Sequence, residues 1–179
     1  MQPHLKRNDK VLFYKYLDNC SVYFEYGSGG STYQAAIRKN IKKIYSVESD
    51  KQWHNKIQQN IDNTSKIDFL YNEMDTLPNT WGYPGPKSTR EQWINYSNQL
   101  VNLSIEKQKE IDLLMIDGRF RVACCLKSFN ILNDNCVIIF DDFLNRKQYH
   151  TVLNYYDIIE RTNDNQMAIL RKKKDILSI

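Results

Sequence analysis

The chain has 179 residues, 41% of them hydrophobic and 26% charged, which gives the length and apolar content of one folded domain and excludes a disordered segment. Its formal net charge of +4 is mild and gathers near the ends, in His4-Leu5-Lys6-Arg7 and Arg171-Lys172-Lys173-Lys174, which read as solvated tails and not as a nucleic-acid footprint. No apolar run approaches the ~20 residues of a membrane span, and Met1-Gln2-Pro3-His4-Leu5-Lys6-Arg7 lacks the apolar centre of a secretion signal, so a cytoplasmic protein with no membrane partner is expected.

In chain order, the first predicted strand is Val22-Tyr23-Phe24-Glu25-Tyr26, which runs into Gly27-Ser28-Gly29-Gly30. A helix should follow, opened by a capping box of Ser31 with Gln34. Lys43 to Val47 is the second strand, and Ser49 with Gln52 signals the next helix. Ile67 to Tyr71 is the third. A long insertion over about 72–110 comes next, carrying Trp81-Gly82-Tyr83-Pro84-Gly85-Pro86 and a helix start at Ser88 with Glu91. Loops of that length in compact domains tend to be functional, so it is expected to act as a lid. Ile111 to Ile116 and Cys136 to Phe140 complete five short, nearly continuous apolar runs. Such runs suit a parallel sheet covered on both faces, and strand–helix order with right-handed crossovers makes it doubly wound. Tyr156 to Arg161 and Gln166 to Arg171 flank Asn163-Asp164-Asn165 and read as a closing β-hairpin that adds an antiparallel strand. Cys20, Cys124, Cys125 and Cys136 lack metal-site spacing and read as buried, reduced thiols.

The glycine loop follows a strand and precedes a helix, where backbone without Cβ lets a ligand lie against the main chain. Glu48 ends the second strand, the position from which a carboxylate accepts hydrogen bonds from ribose hydroxyls. Together they predict a pocket for an adenosine-containing cofactor. A dinucleotide fingerprint would place glycine at position 32, where Thr32 stands, and Glu25 is poorly placed beside a pyrophosphate. A carboxylate there suits a cationic ligand, which favours S-adenosylmethionine over a nicotinamide dinucleotide.

Glu25-Tyr26-Gly27-Ser28-Gly29 resembles the E-x-G-x-G signature of class I S-adenosylmethionine-dependent methyltransferases, and Glu48 matches their ribose-binding acid. The resemblance runs from about Val22 to Arg171, including the final hairpin. It implies a Rossmann-like α/β fold of seven strands with an antiparallel strand at the end, over a single domain spanning 1–179. It also implies that Glu25, Gly27, Ser28, Gly29, Gly30, Ser31 and Glu48 bind the cofactor. Trp81-Gly82-Tyr83-Pro84, Asp117 to Ala123 and Tyr149-His150 further resemble a group of small bacterial-type methyltransferase-like proteins.

Asp117 ends the fourth strand and Asp141 and Asp142 end the fifth, so parallel topology delivers all three to the edge where the glycine loop lies. They resemble the Mg²⁺ ligands of catechol-type O-methyltransferases, with Asp142 in place of Asn; the alternative is that they cap helices or bind loop amides. Asp117 is the expected catalytic group beside the acceptor, and His150 is a second candidate base. Arg119 and Arg121 flank Phe120 at the pocket mouth, where they would either bind an anionic substrate or pair with the carboxylates. Trp81 and Tyr83 would stack on a substrate ring or anchor the insertion. Trp53, on the helix after Glu48, would edge the adenine pocket or, more simply, pack in the core. The function expected is O-methylation of a small hydroxylated acceptor, with a carbohydrate or nucleotide-sugar first, by a chain that a second copy could complete as a homodimer. A nucleic-acid or protein methyltransferase and a non-catalytic scaffold are the alternatives.

Overall fold

A computed structural model describes residues 1–163, 166–176 and 178. The hairpin turn expected at Asn163-Asp164-Asn165 lies, after its first residue, outside them. Seven strands form one sheet: β1 (Val22–Tyr26), β2 (Lys43–Glu48), β3 (Ile67–Tyr71), β4 (Leu113–Ile116), β5 (Val137–Phe140), β6 (Tyr156–Arg161) and β7 (Ala168–Lys172). Their spatial order is β3-β2-β1-β4-β5-β7-β6; the first five are parallel, and β7 is antiparallel to both its neighbours. The expected doubly wound sheet with a closing hairpin is what the chain forms.

Side-chain alternation divides the core into two layers. Phe24, Tyr26, Tyr45, Val47, Leu114, Ile116, Ile138 and Phe140 bury one face. Over it lie α4 (Arg90–Ser97), which contributes Tyr96, and α6 (Arg121–Ser128), which contributes Cys124 and Cys125. Tyr23, Ile44, Leu113, Met115, Ile139 and Ile169 bury the opposite face under α1 (Arg7–Leu17), α2 (Gly30–Ala36) and α3 (Lys51–Gln59). A short α5 (Ile105–Glu110) leads into β4, and a 3-10 helix spans Lys147–Asn154. All four cysteines are buried free thiols.

Three local expectations need correction. Residues 4–7 are solvated, with His4, Lys6 and Arg7 exposed, but they are not a tail, because α1 begins at Arg7 and buries Leu12, Phe13 and Leu17, each worth roughly 1.5–3 kcal/mol of burial. The helix starts also shift by one or two residues. Asp50 caps α3 by accepting from the Trp53 amide at 2.9 Å, and Thr89 with Gln92 makes the capping box of α4. Ser31 lies inside α2, where Thr32 Oγ1 accepts from the Gly29 amide at 2.8 Å. Finally, the insertion is not a single irregular loop. Tyr96, Ser97 and Leu100 are core residues, whereas 76–84 forms a small surface lobe joined by an antiparallel bridge between Thr76 and Pro84.

Parallel register fixes where the site must be. Tyr26 pairs with Val47 on one side and Ile116 on the other, and Ile116 pairs with Phe140. Gly27, Glu48, Asp117 and Asp141 therefore leave the sheet together at its carboxyl edge.

Candidate active site

Gly27 turns the chain out of β1 with φ +99°, a left-handed conformation that favours glycine. A Cβ there would also lie 2.8 Å from the Gly118 nitrogen. The amides of Gly27 and Ser28 donate to the Val47 carbonyl at 3.0 and 3.2 Å, tying the loop to β2. Beneath it, Glu25 is fully buried and accepts four hydroxyl hydrogen bonds. Tyr23 (2.9 Å) and Ser31 (2.6 Å) donate to Oε2, Ser46 (2.7 Å) and Thr32 to Oε1. Burial raises its pKa, and the four hydroxyls oppose that rise. Both carboxylate oxygens are thus occupied by protein. Glu25 braces the glycine loop from below, where the sequence suggested a direct partner for the cofactor's charge.

The loop residues divide by direction. A Cβ on Gly30 would collide with the Gln2 carbonyl, because residues 1–3 cross the start of α2; Gln34 Nε2 donates to the Met1 carbonyl at 2.8 Å, and Pro3 is buried. Gly30 and Ser31 therefore face protein. Ser28 contributes its carbonyl to Trp53 Nε1 at 2.7 Å and its hydroxyl to Ser46 at 2.6 Å. Gly29 is different: nothing lies within 4 Å of where its Cβ would stand, so this is the open side of the cradle.

Glu48 is the other wall. Its Oε1 accepts from the amides of Ser49 (2.7 Å) and Asp50 (2.8 Å), while Oε2 has no donor among the described residues. Burial lifts the pKa to about 7 against the pull of the two amides. A half-satisfied, buried carboxylate beside an open glycine fits a ligand with a vicinal diol, so the residues present suit the adenosyl cofactor.

The acidic cluster does not suit a cation. Arg121 is buried and enters it from α6, with Nη2 2.9 Å from Asp117 Oδ1 and Nη1 3.6 and 3.5 Å from Asp141 and Asp142. It also donates to the backbone carbonyls of Gly118, Asp117 and Asp141. Arg146 closes the remaining side at 2.6 Å from Asp142. Among the described residues no group of three acidic, His or Cys side chains is arranged to hold a metal ion. Burial raises the pKa of Asp117 and Asp141, which lie close enough to share a proton. Arg121 is thus a structural ion, not a substrate contact, and Mg²⁺ has no place among Asp117, Asp141 and Asp142.

Beside this cluster opens a cleft of about 370 Å³ whose lining includes Tyr83, Trp93, Gly118, Arg119, Phe120 and Tyr149. Phe120 has φ +53°, uncommon for a non-glycine residue, at the start of α6. That turn separates the two arginines: both border the cleft, but Arg121 reaches inward to the carboxylates and Arg119 does not. Tyr83 is 56% exposed there, but Trp81 is 70% exposed and pairs with His4 at 4.9 Å between ring centroids, outside the cleft lining. His150 is also outside it. Its Nε2 lies 3.1 Å from the Phe143 carbonyl and its ring packs on Phe143, which leaves Asp117 as the candidate base.

Sequence reasoning missed Tyr96, Trp93 and Thr32. Tyr96 is a buried phenol whose hydroxyl contacts Gly118 and accepts from the Arg119 amide at 3.4 Å, and burial holds it neutral. The sequence placed a helix start at Ser88, but with the insertion read as a lid nothing pointed to Tyr96 on that helix as part of the core. Thr32 carried a signal: at the third position of a helix opened by glycine, a hydroxyl has both an amide and Glu25 within reach.

No protein-family profile matches the chain, and no curated protein does. Solved structures match well. A methyltransferase-like protein from Silicibacter pomeroyi aligns over 96% of this chain and 89% of its own, with 22% identity and a TM-score of 0.75. A proposed caffeoyl-CoA O-methyltransferase from Staphylococcus aureus aligns over 96% and 86%, at 15% identity and a TM-score of 0.65. An rRNA methylase from Streptococcus thermophilus aligns over 96% and 100%, at 12% and 0.60. The chain has the class I methyltransferase fold. Similarity at these identities establishes the fold, and the neighbours' names range from a proposed caffeoyl-CoA O-methyltransferase to an rRNA methylase, so the acceptor must be argued from the site.

Proposed function

We propose that this chain is an S-adenosylmethionine-dependent methyltransferase that methylates oxygen on a small hydroxylated acceptor, the class that includes sugars and nucleotide-sugars. The observation that carries this reading is buried Glu48, whose Oε2 accepts no hydrogen bond among the described residues, at the same carboxyl edge of the sheet as the open Gly29. S-adenosylmethionine, when bound, supplies a methyl group on an already activated sulfonium. Glu48 would accept the ribose hydroxyls, and the loop held down by Glu25 would support the methionine end. Asp117, a third of whose side chain remains exposed, would take the acceptor's hydroxyl proton on its carboxylate, helped by the pKa rise that burial causes. Alignment of the two reactants does most of the remaining work, since well-oriented pairs reach effective molarities of ~10⁵ M or more.

Calorimetry with S-adenosylhomocysteine tests the cofactor assignment. Glu48→Ala should weaken binding by about 1–3 kcal/mol, the worth of a charge-assisted hydrogen bond. An unchanged dissociation constant would place the cofactor elsewhere. Asp117→Asn should slow turnover while leaving that affinity within a few fold; equal loss of both would make Asp117 a binding or structural residue.

A further inference from the structure

Arg119 and the aromatic side chains around it have a chemistry that the fold does not require. Trp93 stacks on Phe120 at 5.9 Å and 29°, and the Arg119 guanidinium carbon stands 5.9 Å from the centre of the Tyr83 ring. Trp93 is 38% exposed and Tyr83 56%. Large aromatic faces turned to solvent on the same cleft mark a binding site more often than a packing residue.

The arginine is the second observation. Arg121 and Arg146 are committed to carboxylates, whereas Arg119 makes no ion pair among the described residues. Its Nε is shielded from solvent and has no hydrogen-bond acceptor there. A buried donor without an acceptor is costly, and the planar fork of a guanidinium matches the paired oxygens of a carboxylate or phosphate. The cleft volume of about 370 Å³ lies near the lower end of the ~300–1,000 Å³ typical of small-molecule sites, enough for one ring and its substituents.

We propose that the acceptor is a single planar ring carrying an oxyanion, the ring lying against Trp93, Phe120 and Tyr83 and the anion held by Arg119. This rests on the methyl-transfer reading of the same site and narrows it, because a neutral sugar would leave Arg119 without a partner. Carboxylate and phosphate share the required chemistry.

The probes are 4-hydroxybenzoate, phenyl phosphate and neutral 4-hydroxybenzyl alcohol, with glucose as the non-aromatic control. Each is titrated into the full chain without cofactor and followed by ligand-observed NMR, with S-adenosylhomocysteine affinity measured on the same samples. Either anion or both should bind at least tenfold more tightly than the alcohol, and the tighter of the two identifies the oxyanion. Arg119→Gln should bring all three ring compounds to one weak level, while Trp93→Ala should weaken all three alike. Arg119→Lys, which keeps the charge and loses the fork, should fall between and stands in if the glutamine variant does not fold. Equal affinity for the alcohol, retention of the anion preference in both Arg119 variants, or tighter binding of glucose overturns the proposal. Loss of anion preference with S-adenosylhomocysteine still bound overturns this inference alone. Anion preference without S-adenosylhomocysteine binding overturns the methyl-transfer reading instead.

Discussion

Glu48 is buried with one oxygen satisfied, and its raised pKa of about 7 ties cofactor affinity to pH. Ribose hydroxyls donate to the carboxylate form, so binding should release a proton and tighten as pH rises from 6 to 8. Titrations in two buffers of different ionisation enthalpy check this, and Glu48→Gln should flatten the profile. In the free protein the sign is opposite. The folded state holds this proton more tightly than the unfolded chain, whose Glu pKa is about 4.3, so the ligand-free protein loses stability as pH climbs from there to about 7 and the loss levels off above. Arg121 gives a second test. Arg121→Met leaves carboxylates without their buried partner and should cost about 3–5 kcal/mol at pH 8. The loss should shrink at pH 5, where Asp141, its pKa raised to about 8, is protonated; urea unfolding at both pH values reads it. Position along the sheet was legible in the sequence for Glu48, Asp117 and Asp141, because parallel strands deliver their last residues to one edge. Pairing with an arginine was one of two readings there, but which arginine was not legible, because Arg121 becomes the centre of the cluster only through the left-handed turn at Phe120.

At the scale of elements, the strands could be read from apolar runs and three of the six α-helices from polar starts, but the first helix could not. In α1 the apolar residues Leu12, Phe13 and Leu17 are interleaved with lysines, and only its docking on the sheet reveals a buried stripe. The segment before it is likewise coded in no local signal: residues 1–3 are placed by contacts with Gly30, Gln34 and Tyr14 far along the chain. Removing Met1 to His4 should uncover the glycine loop. Lost hydrogen bonds worth about 1–2 kcal/mol in sum would lower the melting temperature by roughly 2–8 °C, and S-adenosylhomocysteine affinity should fall several fold. Differential scanning fluorimetry with and without the ligand measures both, and an unchanged affinity would mean that the loop keeps its shape unaided.

For the molecule as a whole, the sheet is completed from the end of the chain. β7 lies between β5 and β6, so β6 has no other strand partner, and α1 is tied to this hairpin by Lys15 and Tyr16 on Glu160 and by Thr162 on Asp9. A chain stopped at Asn163 should lose cooperative unfolding and bind a hydrophobic dye; a sharp melting transition would show that the five parallel strands suffice. The same order has a consequence during synthesis. From Asp141 to Lys172 the ribosome must add 32 residues, which takes roughly 2–6 s at ~5–20 residues per second. Until β7 docks, Val137–Phe140, apolar and paired with β4 on one side only, presents one bare row of amides and carbonyls. Such an edge pairs readily with another chain, so β7 closes the side of β5 from which association would otherwise start.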